Sequence, residues 1–273
     1  MSVKKTYFIA GLPRSGSTLL SSILNQNPRF YSGPNSDVIN MMFSVDKFRE
    51  GDMYKAHPNP TSLDTILRSI IMNYYYYHKT PVCFDKNRGW TRYIDYIVKY
   101  IDPNPKIICP VRDVKSVLAS FIRLLRKNNY RKDNFIDSNI DKENITDDDR
   151  CRYLLGPGIV GNSIVDLIHG LENFPNNILL VDYDNLVDNT EAEMKRIYTF
   201  LGEEYFEHTK EIKQSYNVND EDVYKLKGMH DIRGKIEKTS DDPKNILTDF
   251  MFKECENNTV LKNYEFLRNS LKG

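Results

Sequence analysis

Tyr7-Phe8-Ile9-Ala10-Gly11-Leu12-Pro13-Arg14-Ser15-Gly16-Ser17-Thr18-Leu19-Leu20 is the stretch that decides the fold of this chain. The apolar run from Tyr7 to Ala10 is too short for a helix and stops at Gly11 and Pro13, so it reads as a strand buried on both faces. From Thr18 the apolar residues fall at Leu19, Leu20, Ile23 and Leu24, the spacing of one helix face, and Pro28 ends the pattern. Strand, glycine-bearing loop and helix therefore follow one another directly.

Outward from that unit the pattern recurs. Val82-Cys83-Phe84 is a second strand, followed by a polar loop and a helix from about residue 89 to 101. Lys106-Ile107-Ile108-Cys109-Pro110 is a third, and its helix carries Val114, Val117, Leu118, Phe121 and Leu125 on one face. Ile178-Leu179-Leu180-Val181 is a fourth; the helix after it opens with Thr190 and Glu193 at capping-box spacing and buries Met194, Ile197, Tyr198 and Leu201. Strands alternating with helices predict an α/β fold, a parallel β-sheet flanked by helices on both faces, as one domain spanning residues 1–273. Ligands of such sheets bind beyond the carboxyl ends of the strands. The loops after Ala10, Phe84, Pro110 and Val181 are therefore where chemistry is expected. Residues 128–150, polar and nearly free of aromatics, read as an exposed loop or mobile flap, and residues 216–243 are similarly polar. The run from Tyr74 to Tyr77 reads as helical, with only part of it able to face the core.

Composition narrows the partners. Lys+Arg and Asp+Glu both number 38, so the formal net charge is zero and no bulk field attracts nucleic acid or an anionic membrane. Cys83, Cys109, Cys151 and Cys255 are far apart, which argues against a zinc site; Cys83 and Cys109 lie in apolar runs and read as small core residues. The apolar stretch after Lys5 is too short for a signal-peptide core, and no segment reads as the roughly 20 apolar residues of a membrane span, so a reducing cytoplasm is expected.

Gly11 and Gly16 have the spacing of the nucleotide-binding P-loop, G-x-x-x-x-G-K-[ST], in which backbone N–H groups and a helix N-terminus face an anion. Ser17 stands where the lysine belongs, while Arg14 keeps a cation in the loop; this favours a 5′-phosphate ligand without a γ-phosphate. The same spacing also suits a plain strand-to-helix turn capped by Ser or Thr. In the third loop Arg112 closes the strand, and Ser116, Ser120 and Arg123 share a helix face opposite the apolar one. An Arg and a hydroxyl in line suit a second phosphate, although a solvated polar face has the same pattern. The second loop, Asp85-Lys86-Asn87-Arg88-Gly89-Trp90, holds the only tryptophan and two cations; Lys86 could reach an anion between the other loops, or the segment could be an ordinary turn with a packed Trp.

Together these loops resemble the sulfotransferase family, most closely the tyrosylprotein sulfotransferases and bacterial and viral relatives with a PRSGSTLL-type loop, over residues 7–201 with a weaker echo to 238. The resemblance implies a P-loop-like parallel sheet, the donor 3′-phosphoadenosine 5′-phosphosulfate (PAPS), the product 3′,5′-ADP and no metal. It implies donor binding by Arg14, Ser15, Gly16, Ser17 and Thr18, a 3′-phosphate pair in Arg112 and Ser120, and catalytic roles for Arg14 and Lys86. Asp182-Tyr183-Asp184-Asn185-Leu186-Val187 resembles the family's Tyr-Glu-x-Leu-Val segment, which brings in Tyr183, and Arg233-Gly234-Lys235 resembles a late donor-binding stretch. The implied acceptor is a hydroxyl or amine on a small molecule, glycan or peptide.

One position departs. Gly33-Pro34-Asn35-Ser36-Asp37 places Asn35 where the tyrosylprotein branch has its catalytic glutamate, and an amide cannot act as the base. Asp37 is the first substitute and His57 the second, with Asp37 also suited to capping the helix through Val38 and Ile39. Two rival readings remain: a P-loop nucleotide kinase, opposed by Ser17, and a non-catalytic nucleotide-binding protein, favoured only by the missing glutamate. Acceptor and oligomeric state cannot be read from these residues.

Overall fold

The strand expected from Tyr7 to Ala10 is β1 (Lys5–Ile9), the central strand of a computed structural model that describes residues 4–213, 216–232, 234–238 and 242–270. It is followed by α1 (Ser17–Leu24), β2 (Phe30–Asn35), α2 (Val38–Asp46), α3 (Asp52–Ala56), α4 (Pro60–Tyr74), β3 (Val82–Lys86) and α5 (Ile94–Tyr100). Then come β4 (Ile107–Val111), α6 (Val114–Lys127), α7 (Asp147–Leu155), α8 (Ile159–Asn173) and β5 (Ile178–Asp182). The chain continues through α9 (Tyr183–Asp188), α10 (Thr190–Leu201), α11 (Asp220–Tyr224), α12 (Asp249–Asn257) and α13 (Thr259–Asn269). The five strands form one parallel sheet in the order β2-β3-β1-β4-β5.

Period-2 alternation sends side chains of one strand into two cores. Phe8, Cys83, Ile107 and Cys109 enter a large core with α2, α4, α5, α6 and α8, while Tyr7, Ile9, Phe84 and Ile108 enter a smaller one with α1, α9 and α10. Both faces are thus covered, as the unbroken apolar strands require. The connections after the adjacent strands β1 and β4 leave toward opposite faces: Leu20, Ile23 and Leu24 of α1 pack in the small core, and Val114, Val117 and Phe121 of α6 in the large one. Such a divergence opens a crevice at the carboxyl edge of the sheet.

Several expectations are corrected. A fifth strand, β2, was not legible because it contains Gly33 and Pro34; it is one of the two edge strands, where a missing N–H costs no ladder bond, and its register slips between Ser32 and Asn35. The helix expected at 89–101 divides into a 3-10 turn, Arg88–Thr91, and α5. Residues 128–150 are not a free flap: Asn134, Ile136, Asp137 and Arg150 are buried, and Arg150 donates to both Asp137 carboxylate oxygens at 2.8 and 2.6 Å. Removing one partner of a pair this buried costs about 3–5 kcal/mol, so the pair anchors the segment. The capping box at α10 does not form; Thr190 Oγ1 donates back to the Leu186 carbonyl at 2.8 Å, and Glu193 pairs with Arg196. The tyrosine run ends α4 rather than extending it, with Tyr75 buried and Tyr76 and Tyr77 exposed. Contrary to expectation, Asp147–Asn173 is long and apolar enough to cross a membrane by length and composition. It is two helices, α7 and α8, separated at Gly156–Gly158, and its residues Leu154, Val160, Ile164 and Leu167 are spent in the large core. All four cysteines are buried and free.

Candidate active site

The crevice at the carboxyl edge holds a cleft of about 200 Å³. Its floor is the loop between β1 and α1. Gly16, the N-cap of α1, has φ 89°, and no side chain caps the first turn, so the backbone N–H groups there remain available to an anion. A Cβ at Gly16 would lie 2.7 Å from the Tyr183 ring as well as straining the backbone, so the position requires glycine. Ser15 is fully buried; its Oγ sits between the carbonyls of Leu12 and Pro110, 2.8 Å from the latter, and braces the loop against β4. Its side chain is therefore committed to the framework, while Gly16, Ser17 and Thr18 line the cleft.

Arg14, Arg112, Ser120 and Tyr183 converge on one wall. Arg14 Nε donates to Ser120 Oγ at 3.1 Å, and its Nη1 donates to the Met229 carbonyl. Arg112 Nη1 reaches the Arg14 carbonyl at 3.3 Å, and its guanidinium lies 4.2 Å from the centroid of Tyr183. The backbone of Arg112 is clamped by buried Tyr264 of α13, which accepts from its N–H at 3.0 Å and donates to its carbonyl at 2.7 Å. Arg268, one turn further on, is paired at 2.8 Å with Asp182, whose carboxylate caps α9. The C-terminal helix thus fixes the ends of β4 and β5 together. Burial, reinforced by Arg112, lowers the Arg14 pKa to about 10, and burial also lowers that of Arg112. Both stay charged at neutral pH, so the wall brings two largely desolvated cations to the cleft, the setting in which a bound anion gains most.

The other wall comes from β2, the turn after β3 and the segment after α11, which meets Arg14 through the Met229 carbonyl. Lys86 ends β3, is 3% exposed, and has its pKa lowered to about 8 by burial and then by Arg88. Its ammonium lies 5.9 Å from the Tyr216 ring centroid. The neighbouring Asp85 points away, into a buried cluster: Ser36 Oγ (2.7 Å), Tyr75 Oη (2.8 Å) and Trp90 Nε1 (2.6 Å) all donate to it. Burial raises the Asp85 pKa against those three bonds. Asp85 therefore knits β2, α4 and the turn after β3 around Lys86. Asn35, Arg88, His230 and Lys235 line the cleft on this side.

Arg14, Gly16, Ser17, Thr18, Arg112, Ser120, Tyr183 and Lys235, expected from the sequence, are brought to one cleft, whereas Lys86 is buried at the end of β3 and is not among the residues lining it. Gly234 is exposed, and its carbonyl accepts from Ile212 N–H at 2.9 Å; Arg233 lies outside the described residues. Asp37 and His57 are exposed and are not among the residues lining the cleft. Val38 does open α2, but Asp37 has φ −99° and ψ 12° rather than extended geometry, and its carboxylate accepts from Asn40 Nδ2 at 3.1 Å. The chain turns into the helix one residue early, which carries the carboxylate outward. Arg88, Met229, His230 and Asp231 were not foreseen as lining residues. The Gly228 turn in a polar stretch was the only local signal for the last three, and their approach is a tertiary event. Among the described residues no group of three or more His, Cys, Asp or Glu side chains could hold a metal ion.

The family model for the sulfotransferase family matches residues 7–207. No curated protein sequence matches the chain. Among solved structures, mouse sulfotransferase SULT7A1 complexed with PAP superposes with a TM-score of 0.54 at 17% identity, covering 96% of this chain and 89% of that one. A sulfotransferase from Alicyclobacillus acidocaldarius gives 0.51 at 17% identity over 78% of this chain and 87% of its own. The sulfotransferase domain from the curacin biosynthetic pathway gives 0.51 at 18% identity over 76% of each chain. At these identities the structures testify to the fold, and the family match, covering most of the chain, settles membership: this chain belongs to the sulfotransferase family.

Proposed function

We propose that this chain, residues 1–273 acting as one domain, transfers a sulfuryl group from PAPS to a hydroxyl or amine acceptor. The observation that carries the reading is the cationic wall: Arg14 and Arg112, both withdrawn from solvent, flank an uncapped helix N-terminus and a serine hydroxyl. Gly16, Ser17, Thr18 and Arg14 would hold the 5′-phosphosulfate, Arg112 and Ser120 the 3′-phosphate, and Lys235 the rim. PAPS supplies an activated sulfuryl group on a 5′-phosphate leaving group. Sulfuryl transfer resembles phosphoryl transfer in needing in-line geometry and stabilised charge on the leaving oxygen. Arg14 and Lys86, preorganised and desolvated, serve that charge. Within the family we place the chain nearest the tyrosylprotein and PRSGSTLL-type branches, on the strength of Arg14 in the loop; Asn35 sets it apart from the former. The acceptor class is a hydroxyl or amine on a small molecule, glycan or peptide, and four free, buried thiols suit a reducing cytoplasm.

The kinase reading has Ser17 against it, and ligand choice tests the two. 3′,5′-ADP without magnesium is expected to raise the melting temperature, since a ligand at about 100 times its dissociation constant adds roughly 2.7 kcal/mol. ATP with magnesium is expected to do far less; equal stabilisation by ATP would restore the kinase.

A further inference from the structure

His230 lines the cleft but has no place in the reading above. Its Nδ1 lies 2.6 Å from Asp220 Oδ1, and its backbone N–H donates to Asp220 Oδ2 at 2.7 Å. Asp220 opens α11 and is 4% exposed; the imidazole side chain retains 18% exposure. Tyr224 of the same helix packs its ring 5.9 Å from the imidazole. One carboxylate therefore grips both the backbone and the ring. A neutral imidazole whose Nδ1–H is given to a carboxylate has Nε2 left as its acceptor. This is the arrangement a proton-abstracting histidine needs, and it lies in a cleft where the expected glutamate position is occupied by Asn35.

We propose that His230, oriented by Asp220, is the general base of this enzyme. The proposal rests on the sulfuryl-transfer reading. As the acceptor oxygen or nitrogen forms its bond to sulfur, its proton passes to His230 Nε2. The S–O bond to the 5′-phosphate breaks with its electron pair leaving on the phosphate oxygen, and the imidazolium later returns its proton to solvent. Asp220, a positioning residue, holds the tautomer before transfer and faces the positive ring after it. The charged groups around His230 come from several elements: Asp220 on α11, Lys86 at the end of β3, Arg14 in the first loop and the adjacent Asp231. Burial foremost, helped by Lys86 and Arg14, lowers the His230 pKa against the opposing pull of Asp220. The ring is thereby kept neutral and able to accept a proton at neutral pH.

The test uses the full chain with His230→Gln and Asp220→Asn. His230→Gln is expected to lower kcat by roughly 10²- to 10⁴-fold and to remove the acid limb of the pH–rate profile. Its dissociation constant for 3′,5′-ADP, measured by calorimetry, should change less than about threefold, which also shows that the variant is folded. Independently of turnover, ¹⁵N NMR of the wild type should show His230 as the Nδ1–H tautomer, and Asp220→Asn should lose that preference. Retained turnover with an intact acid limb in His230→Gln, or an Nε2–H tautomer in the wild type, overturns the base assignment alone. A wild type that binds 3′,5′-ADP yet transfers to no hydroxyl or amine acceptor overturns the sulfuryl-transfer reading and the base with it.

Discussion

The two walls of the cleft are built differently. The wall at β1, β4 and β5 is braced by backbone: Tyr264 clamps Arg112, Ser15 is held to Pro110, and Gly16 is packed under Tyr183. The wall at β2 and β3 is an assembly of side chains from distant segments, with Lys86 resting near Tyr216 and His230 tied to Asp220. A donor nucleotide presents the same phosphates in every turnover, so a rigid cationic wall suits it. On the reading proposed above the other wall must also manage a proton and developing charge, and there burial lowers the Lys86 pKa to about 8 and keeps His230 neutral, whereas the arginines of the first wall stay charged. The difference teaches that binding and turnover should separate along the cleft.

After the loss expected for His230→Gln, the largest effect is on Lys86. Lys86→Ala should lower kcat by about 10²- to 10³-fold, as loss of a group that meets charge only in the transition state does, while donor affinity changes little. Stopped-assay turnover at saturating donor checks this; unchanged kcat would erase the division between the walls. Next, Arg112→Ala should weaken 3′,5′-ADP by roughly 10- to 100-fold, the worth of a charge-assisted bond of about 1.5–3 kcal/mol. The same variant should bind adenosine 5′-phosphate nearly as the wild type does, and calorimetry with both ligands sharpens the assignment of the 3′ anchor.

The smallest effect is on stability. Lys86 has a folded pKa of about 8, below its ordinary value of 10.5, so the unfolded chain binds more protons between those limits. Stability then rises with pH across that window, and the penalty is fully present below it. Lys86→Met should therefore stabilise the unliganded protein by about 1–3 kcal/mol at neutral pH and remove that part of the rise. Melting scans from pH 7 to about 10.5 measure it, and a destabilised Met variant would show that the ammonium is not held against its solvation.

How far the site was legible follows the same division. The braced wall lies in two loops that directly follow apolar strands, and glycine spacing with Arg14 and Arg112 marked it out. The other wall was legible only in part: Lys86 ends an apolar strand, but Asn35 sits on a strand interrupted by Gly33 and Pro34, and Asp220 and His230 are ten positions apart in a polar stretch. The polar segment 128–150 misled for a related reason, since composition cannot distinguish a solvated charge from one buried against its partner, as Arg150 and Asp137 are.

By itself the sequence determined the parallel sheet, its two covered faces and the glycine loop between β1 and α1, because apolar runs, helical spacing and glycine placement act through neighbours along the chain. It also carried the family. Only the tertiary structure decided which polar side chains face the cleft: it carried Asp37 outward, turned Asp85 inward and brought His230 within the electrostatic influence of Lys86 and Arg14. The orientation of a polar group is set by whether a partner from elsewhere in the chain meets it in place of water, and that is fixed by packing rather than by its neighbours in sequence.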